Sequence, residues 1–572
     1  MSVPPDDHGL EALVAQLEEI RARLGRRVRV LHIGNIANNA FHNAKLQRKL
    51  GLDADVLCYD YYHIMGCPEW EDADFIGFPG DEFAPIWYHL DMKGYQRPKW
   101  FAQGPFELAA RYLILKRRNS ALGTKIWRNL GVLNGTLRPT GAARIYAAGA
   151  ECKQFARRLF WLFMRPDHVE QRVLKTLKRL PLLNQLLSQN SAPAFTYGAG
   201  AALRRIAVLL RELKLRFSDT SPNMSEIITE RAKEFCAGFR EQFPNRSDQL
   251  TYEECLPYVL NSLRWNRLFQ EYDIIQAYST DVMWPMLTNT PYFAFEHGTL
   301  RDIPNEDSTR GRMTALAYSK AEHVFVTNAD CMQNARALAG DRVSFINHPF
   351  DEDDALAGDW VSVRDNLLRE MNANHLVLHP TRQDWVEGTG FADKGNDVFL
   401  KAFIRMHALG FKIGLVMCEW GRNVRESRAL LDEAGLTSFV RWERPMSGRR
   451  LLTVAQASEI VVDQFKLGAF GGVTFKALAA ACCVCTKLDV SESQAFFGEA
   501  PPVVNCSTED EIVDKVTELL RHPERLKERS KASREWVDKF HSGRQVSAAH
   551  IQEYVPYLRA YIGLAKEKSA PG

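Results

Sequence analysis

Short apolar runs alternate with amphipathic stretches in the first part of the chain. An apolar run at Val28–Ile33 leads into a Gly/Asn turn, an amphipathic stretch ending at Leu50, and a second apolar run at Ala54–Cys58. A strand, a helix and another strand form a βαβ unit, which implies a parallel sheet. The alternation resumes in the sequences YDIIQAYS, PYFAFEHG, EHVFVTNA and RVSFINHPF. We therefore predict an α/β domain over residues 1–345.

A second alternating region runs from about residue 351 to about residue 543. Its predicted strands carry the sequences HLVLHPT, KIGLVMCE, FVRWE, EIVVDQF, CCVCTKL and PPVVNC. Amphipathic stretches such as VFLKAFIRMHALG separate these strands, which is typical of a doubly wound, Rossmann-type domain. We place this second domain at 346–545, and we expect residues 546–572 to form a helix that packs back on the first domain.

The region between the two alternating parts of the first domain, 105–244, is helix-rich, basic and aromatic, and is predicted to be an insertion. Between Arg111 and Arg216 there are 21 Lys or Arg residues against 4 Asp or Glu, in a chain with a net charge of +3. Cations beside bulky apolar residues suit an anionic membrane surface, and we expect peripheral contact there through 111–216. Two alternatives stay open. The charges either face water or pair with the acidic remainder, or they bind nucleic acid, for which no recognition motif is present.

Composition narrows the class of protein. Hydrophobic residues make up 46% and charged residues 25% of the 572 residues, as in soluble globular proteins. No apolar run reaches the roughly eighteen residues of a membrane-spanning helix, and the start MSVPPDDHG has no signal-peptide features. Eleven cysteines without paired metal-type CxxC motifs favour reduced thiols. We expect a cytoplasmic protein, peripheral at most on the inner face of the membrane, with no metal site.

Two cations follow the first strand of the second domain. In HPTRQDWVEGTGFADKGNDVFLKAF, Arg382 and Lys394 lie on the loop, or the first helical turn, beyond that strand. Open α/β sheets bind ligands at such carboxyl ends, which here face each other across a cleft. An arginine holds a phosphate bidentately and a lysine adds a compact charge, so the pair suits a departing diphosphate. A solvated loop with two ordinary cations explains the same spacing.

Two glycine turns and one histidine are further candidates. Gly471 and Gly472 open a helix after EIVVDQF, and Gly34 with Asn35 follows the first strand of the chain. Such glycines let backbone N–H groups approach an anion, but they serve a tight turn equally well. His297, after the strand PYFAF, is placed to touch a substrate from the opposite wall of the cleft. The alternative for His297 is a hydrogen-bonded structural role.

Taken together, these motifs resemble the retaining glycosyltransferases of family 4, which have the two-domain GT-B architecture. Arg382 with DKGND resembles the family's Arg…Lys-Gly-x-Asp donor-phosphate motif. GAFGGVTFKALAAACCV is similar to its signature, two glutamates with seven residues between them across a Gly-rich turn. HIGNIANNA is similar to its N-terminal glycine loop and AFEHGTLRD to its active-site histidine segment. The resemblance covers residues 28–104 and 273–506 and omits the basic insertion.

The resemblance implies a function for each domain. The first would bind the acceptor and the second the nucleotide-sugar, with catalytic roles for Arg382, Lys394 and His297. It implies a metal-independent hexosyltransferase that retains configuration, with a nucleotide-sugar as co-substrate and no other cofactor. The acceptor would be a glycan or lipid-linked molecule in cell-surface polysaccharide or glycolipid synthesis. The implied donor-binding positions are Gly471, Gly472, Lys476, Asp463, Gln464, Gly468, Gly34 and Asn35.

The sequence departs from the family at both signature glutamates. Gly468 replaces the first, which contacts the donor sugar, and Lys476 replaces the second, which binds the ribose hydroxyls. A lysine donates to a hydroxyl but cannot accept from it. Asp463 or Gln464, at the end of the preceding strand, would supply the missing sugar contact. The departures keep open a non-catalytic glycosyltransferase-like protein that binds or scaffolds, and an enzyme that processes a sugar phosphate without an acceptor.

Overall fold

The computed structural model describes residues 7–138, 222–352, 355, 358–386, 393–466, 468 and 471–568. Residues 139–221 lie outside these ranges. They include most of the basic segment 111–216, through which the membrane contact is predicted. Within the described ranges, no helix combines the length and the apolar character needed to cross a membrane.

The strands form two parallel sheets and one hairpin. In chain order they are β1 Arg29–Ile33, β2 Asp53–Tyr59, β3 Gly80–Asp81, β4 Ala84–Pro85, β5 Phe101–Gly104, β6 Ile274–Tyr278, β7 Phe293–Glu296, β8 His323–Val326, β9 Val343–Phe345, β10 His375–His379, β11 Ile413–Cys418, β12 Val440–Glu443, β13 Ile460–Val462, β14 Cys483–Thr486 and β15 Val504–Asn505. The first sheet has the order β5-β2-β1-β6-β7-β8-β9 and the second β12-β11-β10-β13-β14-β15. All neighbours within these sheets are parallel, whereas β3 and β4 form an antiparallel hairpin.

Both strand orders reverse beside their first strand, between β1 and β6 and between β10 and β13. Such a reversal is the switch point at which open α/β sheets bind ligands. The second sheet has the order 3-2-1-4-5-6 of the dinucleotide-binding fold. The predicted fold class, α/β with two doubly wound Rossmann-type domains, is confirmed.

Helices cover both faces of each sheet, and this explains the apolar strands. Leu31 and Ile33 of β1 pack in the core on one face of the first sheet, while Val30 packs on the other. The helices run over Asp7–Leu24, Asn39–Lys49, Pro68–Asp72, Phe106–Arg117, Ala121–Leu133, Pro222–Gln242, Tyr252–Ser262, Asn266–Phe269, Met283–Leu287, Thr309–Lys320, Met332–Ala339, Trp360–Met371, Asn396–Ala408, Val424–Glu433, Gly448–Ala457, Gly472–Ala479, Val490–Phe497, Glu509–Arg521, Pro523–Phe540 and Gly543–Lys568. Strands buried on both faces read as near-continuous apolar runs.

Strand β5 does not follow from the sequence pattern. Its sequence FAQG is short and places Gln103, 1% exposed, inside the sheet. Gln103 accepts a hydrogen bond from Arg97 and donates to the Tyr61 oxygen at 2.9 Å. Arg97 in turn pairs with Glu69 at 2.6 Å. A fully partnered polar group is tolerated in a buried strand, and it removes the apolar signal that would have predicted one.

The last helix, Gly543–Lys568, returns from the second sheet to the first. Val555 and Leu558 join the same core as Val30 of β1, and the Tyr554 hydroxyl donates to Oε1 of Gln276 in β6. The domain division at residues 345 and 346 stays a prediction, with the first sheet ending at β9 and the second beginning at β10.

Candidate functional site

Lys476 lies where the two halves of the chain meet. Its Nζ is 2.5 Å from Oε2 of Glu71, which is on the short helix Pro68–Asp72. Both side chains are largely buried, with 19% of Lys476 and 9% of Glu71 exposed. A Cβ on Gly448 would come within 2.9 Å of the Glu71 backbone oxygen, so glycine permits the close approach. The unusual cation in a helix of small residues therefore has a partner across the cleft.

The Glu71 carboxylate is held by groups from both halves. His42 Nε2 lies 3.5 Å from Oε2, and Asn38 donates to Oε1 at 3.3 Å. Burial alone would raise the pKa of Glu71, but the Lys476 ammonium and His42 hold that pKa well below its usual range. Glu71 is therefore ionised at neutral pH, and both of its oxygens are engaged.

Arg382 and Lys394 lie beyond β10, and each lies beside a polar side chain of the same half of the chain. Arg382 Nε is 2.7 Å from Oδ2 of Asp384, and 37% of the arginine side chain stays exposed. Lys394 Nζ donates to Oε1 of Gln464 at 2.8 Å. Burial lowers the pKa of Lys394, which the charge of Asp463 partly offsets. Gln464, predicted to contact the sugar, thus orients the lysine.

The glycine turn after β13 is capped from within the protein. Oδ2 of Asp463 accepts from the Thr474 amide at 3.2 Å and from the Thr474 hydroxyl at 2.6 Å. A Cβ on Gly471 would lie 2.2 Å from that Oδ2, whereas a Cβ on Gly472 would meet nothing within 4 Å. Gly471 is therefore required by the cap itself. Among the residues that the structure describes, the turn is open at Gly472.

Gly468 has a packing reason of its own. Its carbonyl oxygen accepts from the Asp489 amide at 2.8 Å, and a Cβ on Gly468 would lie 3.2 Å from the same nitrogen. The departure from the family pattern at this position coincides with a close approach of two backbones.

Gly34 and Asn35 shape the turn after β1. Gly34 has a φ of 86°, which glycine adopts without strain. The Asn35 amide donates to Asn38 Oδ1 at 2.7 Å and to the Gly66 oxygen at 2.9 Å, and its Oδ1 accepts from the Phe41 amide at 2.9 Å. The Asn35 side chain therefore holds the loop, and the predicted ligand contact would fall to its backbone.

Asp281 is a candidate that sequence reasoning missed. It follows β6 and accepts a short hydrogen bond from the Tyr59 hydroxyl, which in turn accepts from Trp284 Nε1 at 2.6 Å. A Cβ on Gly34 would lie 2.5 Å from Asp281 Oδ2. Burial raises the pKa of Asp281 to about 7, against the opposing effect of Tyr59. The only signal in the sequence is an acidic residue just beyond an apolar strand.

Replacing Asp281 by asparagine tests this environment. The folded pKa of about 7 exceeds the ordinary value of 3.8, so between these pH values the folded protein binds more protons than the unfolded chain. The wild-type carboxyl therefore costs stability as the pH rises through this window, and the cost is complete above pH 7. We expect Asp281→Asn to gain about 4 kcal/mol over the wild type between pH 4 and pH 8 in urea unfolding.

The matched control is Asp341→Asn, because Asp341 is an exposed aspartate of the same half of the chain. Its difference from the wild type should stay constant with pH. A constant difference for Asp281→Asn as well would contradict the raised pKa.

His297 lies at the end of β7, beside the contact between the halves. Its Nδ1 is 3.4 Å from the Thr327 hydroxyl, and its ring centre is 5.3 Å from that of His348. His348 lies 6.5 Å from the ring of Phe475, the residue before Lys476. Burial lowers the pKa of His297 to about 4. At neutral pH His297 is therefore a neutral hydrogen-bonding group rather than a cation.

The positive charge of the candidate site comes from Arg382, Lys394 and Lys476, each with a different anchoring partner. No three His, Cys, Asp or Glu side chains within the described ranges are grouped as metal ligands. Of the three cations, Lys476 makes a contact with the other half of the chain, through Glu71.

Two Rossmann-type domains facing a cleft make a GT-B-like fold. No family model matches the chain, and no curated protein matches it. Among solved structures, the chain is similar to Anabaena HepE in complex with UDP and glucose, at 15% identity and a TM-score of 0.42, over 53% of this chain and 82% of that one. It is also similar to sucrose-phosphate synthase from Thermosynechococcus elongatus, at 15% identity and a TM-score of 0.40, over 54% and 79% of the two chains. It is similar as well to α,α-trehalose 6-phosphate synthase from Burkholderia multivorans, at 15% identity and a TM-score of 0.40, over 60% of this chain and 84% of that one.

The GT-B-like assignment rests on the strand orders of the two sheets. Membership of family 4 stays a prediction, and so do the roles of the site residues.

Proposed function

We propose that the chain is a glycosyltransferase that moves a sugar from a nucleotide-sugar donor to a glycan or lipid-linked acceptor. The observation that carries this proposal is the anchored pair Arg382 and Lys394 at the carboxyl end of β10, beside the switch point of the second sheet. A fixed guanidinium and a fixed ammonium match the geometry and charge of a diphosphate. The acceptor would bind at the facing edge of the first sheet.

The proposed chemistry is mainly electrostatic. Breaking the bond between sugar and phosphate passes through an oxocarbenium-like state while negative charge develops on the departing diphosphate. Arg382 and Lys394 would each stabilise that charge by about 3–4 kcal/mol relative to the ground state. Gly472 leaves room for a phosphate at the start of its helix. His297, neutral at pH 7, would hydrogen-bond the donor sugar or the acceptor.

Lys476 and the end of β13 complete the proposed donor site. An ammonium has three N–H groups, and Glu71 takes one of those on Lys476. The others are left for a phosphate or a ribose hydroxyl of the donor. Asp463 accepts from Thr381 and Thr474, so a sugar contact would use its remaining acceptor capacity.

The finer features of the proposal follow from the resemblance of the motifs. They are transfer of a hexose with retention of configuration, without a metal or a bound cofactor, in cell-surface polysaccharide or glycolipid synthesis. The protein would act in the cytoplasm, with the basic segment 111–216 against an anionic membrane surface on the acceptor side.

A non-catalytic, glycosyltransferase-like binding protein is the second candidate. It is favoured by two charged groups that find partners within the chain: Glu71 neutralises Lys476, and Asp463 caps the helix Gly472–Ala479. In this alternative the cleft binds a ligand or a partner and transfers nothing.

The melting temperature in the presence of UDP, GDP, ADP and CMP tests the proposal. A nucleotide at 100 times its Kd stabilises a protein by about 2.7 kcal/mol. We expect one of the four to raise the melting temperature, and its nucleotide-sugars to lose their sugar when a glycan acceptor is added. No rise with any of the four would contradict the proposal. Nucleotide binding without any transfer would favour the non-catalytic alternative.

A further inference from the structure

A cavity of about 310 Å³ lies between the hairpin of the first half and two loops of the second. Phe83 comes from the hairpin and Phe78 from the segment just before it, and the loops after β11 and β12 contribute Glu419 and Arg444. Its volume is at the lower end of the range for small-molecule sites. The cavity therefore has both halves of the chain as walls, and it lies at the ligand-binding edge of the second sheet.

The fold places Glu419 at a position with a known use. In doubly wound dinucleotide-binding folds, phosphates lie at the turn after the first strand, and an acidic residue beyond the first helix accepts hydrogen bonds from the ribose. The corresponding first strand here is β10, and its loop carries Arg382. Glu419 is the first acidic residue beyond the helix Asn396–Ala408, and it directly follows β11.

The loops after β10 and β11 are hydrogen-bonded to each other. A single ligand can therefore contact both loops. The Gln383 amide donates to the Trp420 oxygen at 2.7 Å, and the Arg422 amide donates to Asp384 Oδ1 at 2.8 Å. The Arg382 guanidinium carbon lies 6.0 Å from the centre of the Trp420 ring. The cations proposed for the diphosphate and the cavity with Glu419 thus lie on adjacent loops.

Glu419 is oriented but keeps acceptor capacity. Its Oε1 accepts from Arg428, and its Oε2 is 3.6 Å from Arg444 Nε. Arg428 stacks over the Trp442 ring at 4.6 Å, which fixes the arginine. A carboxylate has about four acceptor sites, and 32% of the Glu419 side chain is exposed. Hydroxyl groups of a ligand can therefore bind to it.

Phe83 presents an aromatic face at the tip of the hairpin, with 67% of its surface exposed. The tip is held by the Phe83 amide, which donates to Asp81 Oδ1 at 2.7 Å, and by the Ile64 amide, which donates to the Glu82 oxygen at 2.7 Å. An exposed aromatic ring on a fixed backbone is a stacking platform for a nucleobase.

We propose that this cavity binds the nucleoside end of the donor, with the ribose hydroxyls on Glu419 and the base against Phe83. The inference rests on the proposed function and names the groups that recognise the ribose and the base of the donor. It also explains how the site works with a lysine at position 476. Lys476 cannot accept from a hydroxyl and Glu71 is buried with its oxygens engaged, so Glu419 supplies the acceptor.

Calorimetric binding of UDP, GDP, ADP and CMP, of their 2′,3′-dideoxy forms and of inorganic pyrophosphate tests the assignment. In Glu419→Ala, we expect the nucleotide that binds the wild type to bind about tenfold more weakly, or worse, because a hydrogen bond to a charged group is lost. Its dideoxy form should bind wild type and variant alike. Phe83→Ala should weaken both forms similarly, because stacking does not involve the hydroxyls. Pyrophosphate should be unaffected by either change.

The matched controls are Glu433→Ala, an exposed glutamate of the same sheet half, and Ile76→Ala, an exposed apolar residue near the hairpin that does not line the cavity. Both should bind like the wild type. Glu419 and Phe83 are partly exposed, and melting curves without nucleotide verify that each variant folds. Should one variant not fold, the other carries the test.

Failure of the inference and failure of the proposed function give different results. If the wild type binds none of the four nucleotides, both are overturned. If it binds one and Arg382→Ala loses it, but Glu419→Ala and Phe83→Ala bind normally, only the inference is overturned. Equal weakening of pyrophosphate, or lost transfer with normal nucleotide binding, would also overturn it, since the cavity would then act on the phosphates or hold the acceptor.

Discussion

Arg382→Ala is expected to remove the stabilisation of the protein by its nucleotide and to slow sugar transfer by about 10²–10³-fold. Arg382 forms an ion pair with Asp384 on the side of its Nε, which makes no hydrogen bond with the described residues, and the two terminal nitrogens of the guanidinium would hold two phosphate oxygens. Alanine removes the charge and both donors. Thermal melting with the nucleotide and steady-state kinetics with the nucleotide-sugar measure the two losses.

Two further variants make this result specific. Arg382→Lys keeps the charge without the fork, so we expect it to lie between the wild type and alanine. Arg405→Ala is the control, because Arg405 is an exposed arginine on the helix Asn396–Ala408 that pairs with Glu509 and Asp510. Nucleotide binding by Arg382→Ala equal to that of Arg405→Ala would contradict the assignment of the donor phosphates to this loop.

Much of the fold is readable from the sequence because most strands of the two sheets are buried on both faces. In β1 and β10 the residues on both faces are packed against helices, so their sequences are largely apolar and are easy to recognise. The turns between strands and helices are marked by glycine and asparagine. Among the strands of the two parallel sheets, β5 is the exception. Its Gln103 is satisfied by Arg97 and by the Tyr61 backbone, and no local pattern reveals such partners.

In the candidate site, too, some features could be predicted from the sequence and others could not. Arg382, Lys394 and Gly472 are predictable because a strand end and a turn place them, whatever their partners are. The partners are not predictable, since Glu71 is 405 residues away from Lys476 and its helix is only five residues long. The proposed role of Glu419 could not be predicted for a related reason. It depends on a cavity whose other wall is the hairpin, which is distant in the sequence.

Asp463 lies at the strand end that the sequence predicts, but its side chain also has a structural role there. Its place at the end of β13 predicts a contact with the donor, and its carboxylate does lie at the glycine turn. Three of its hydrogen bonds, however, go to Thr381 and Thr474. Because an acid at a helix start satisfies free amides, the same residue that is suited to bind a sugar is also suited to build the turn.

Lys476→Met is expected to lower the free energy of unfolding by about 3–5 kcal/mol, because it leaves the buried Glu71 charge without its main partner. Methionine keeps most of the length of the lysine side chain, so the change is mainly electrostatic. Urea unfolding at pH 7 measures it. Lys401→Met is the control, since the exposed pair of Lys401 with Asp397 should contribute less than about 1 kcal/mol.

The double variant Glu71→Gln with Lys476→Met separates the charge from the contact. Removing both charges leaves no buried ion without a partner, so we expect it to recover most of the stability that Lys476→Met loses. If Lys476→Met instead unfolds like Lys401→Met, Glu71 must be hydrated or neutralised without the lysine, and the pair cannot hold the two halves together. A large loss with recovery would mean that the lysine in place of the family glutamate joins the walls of the cleft, so that the carboxylate for the ribose must come from elsewhere, as proposed for Glu419.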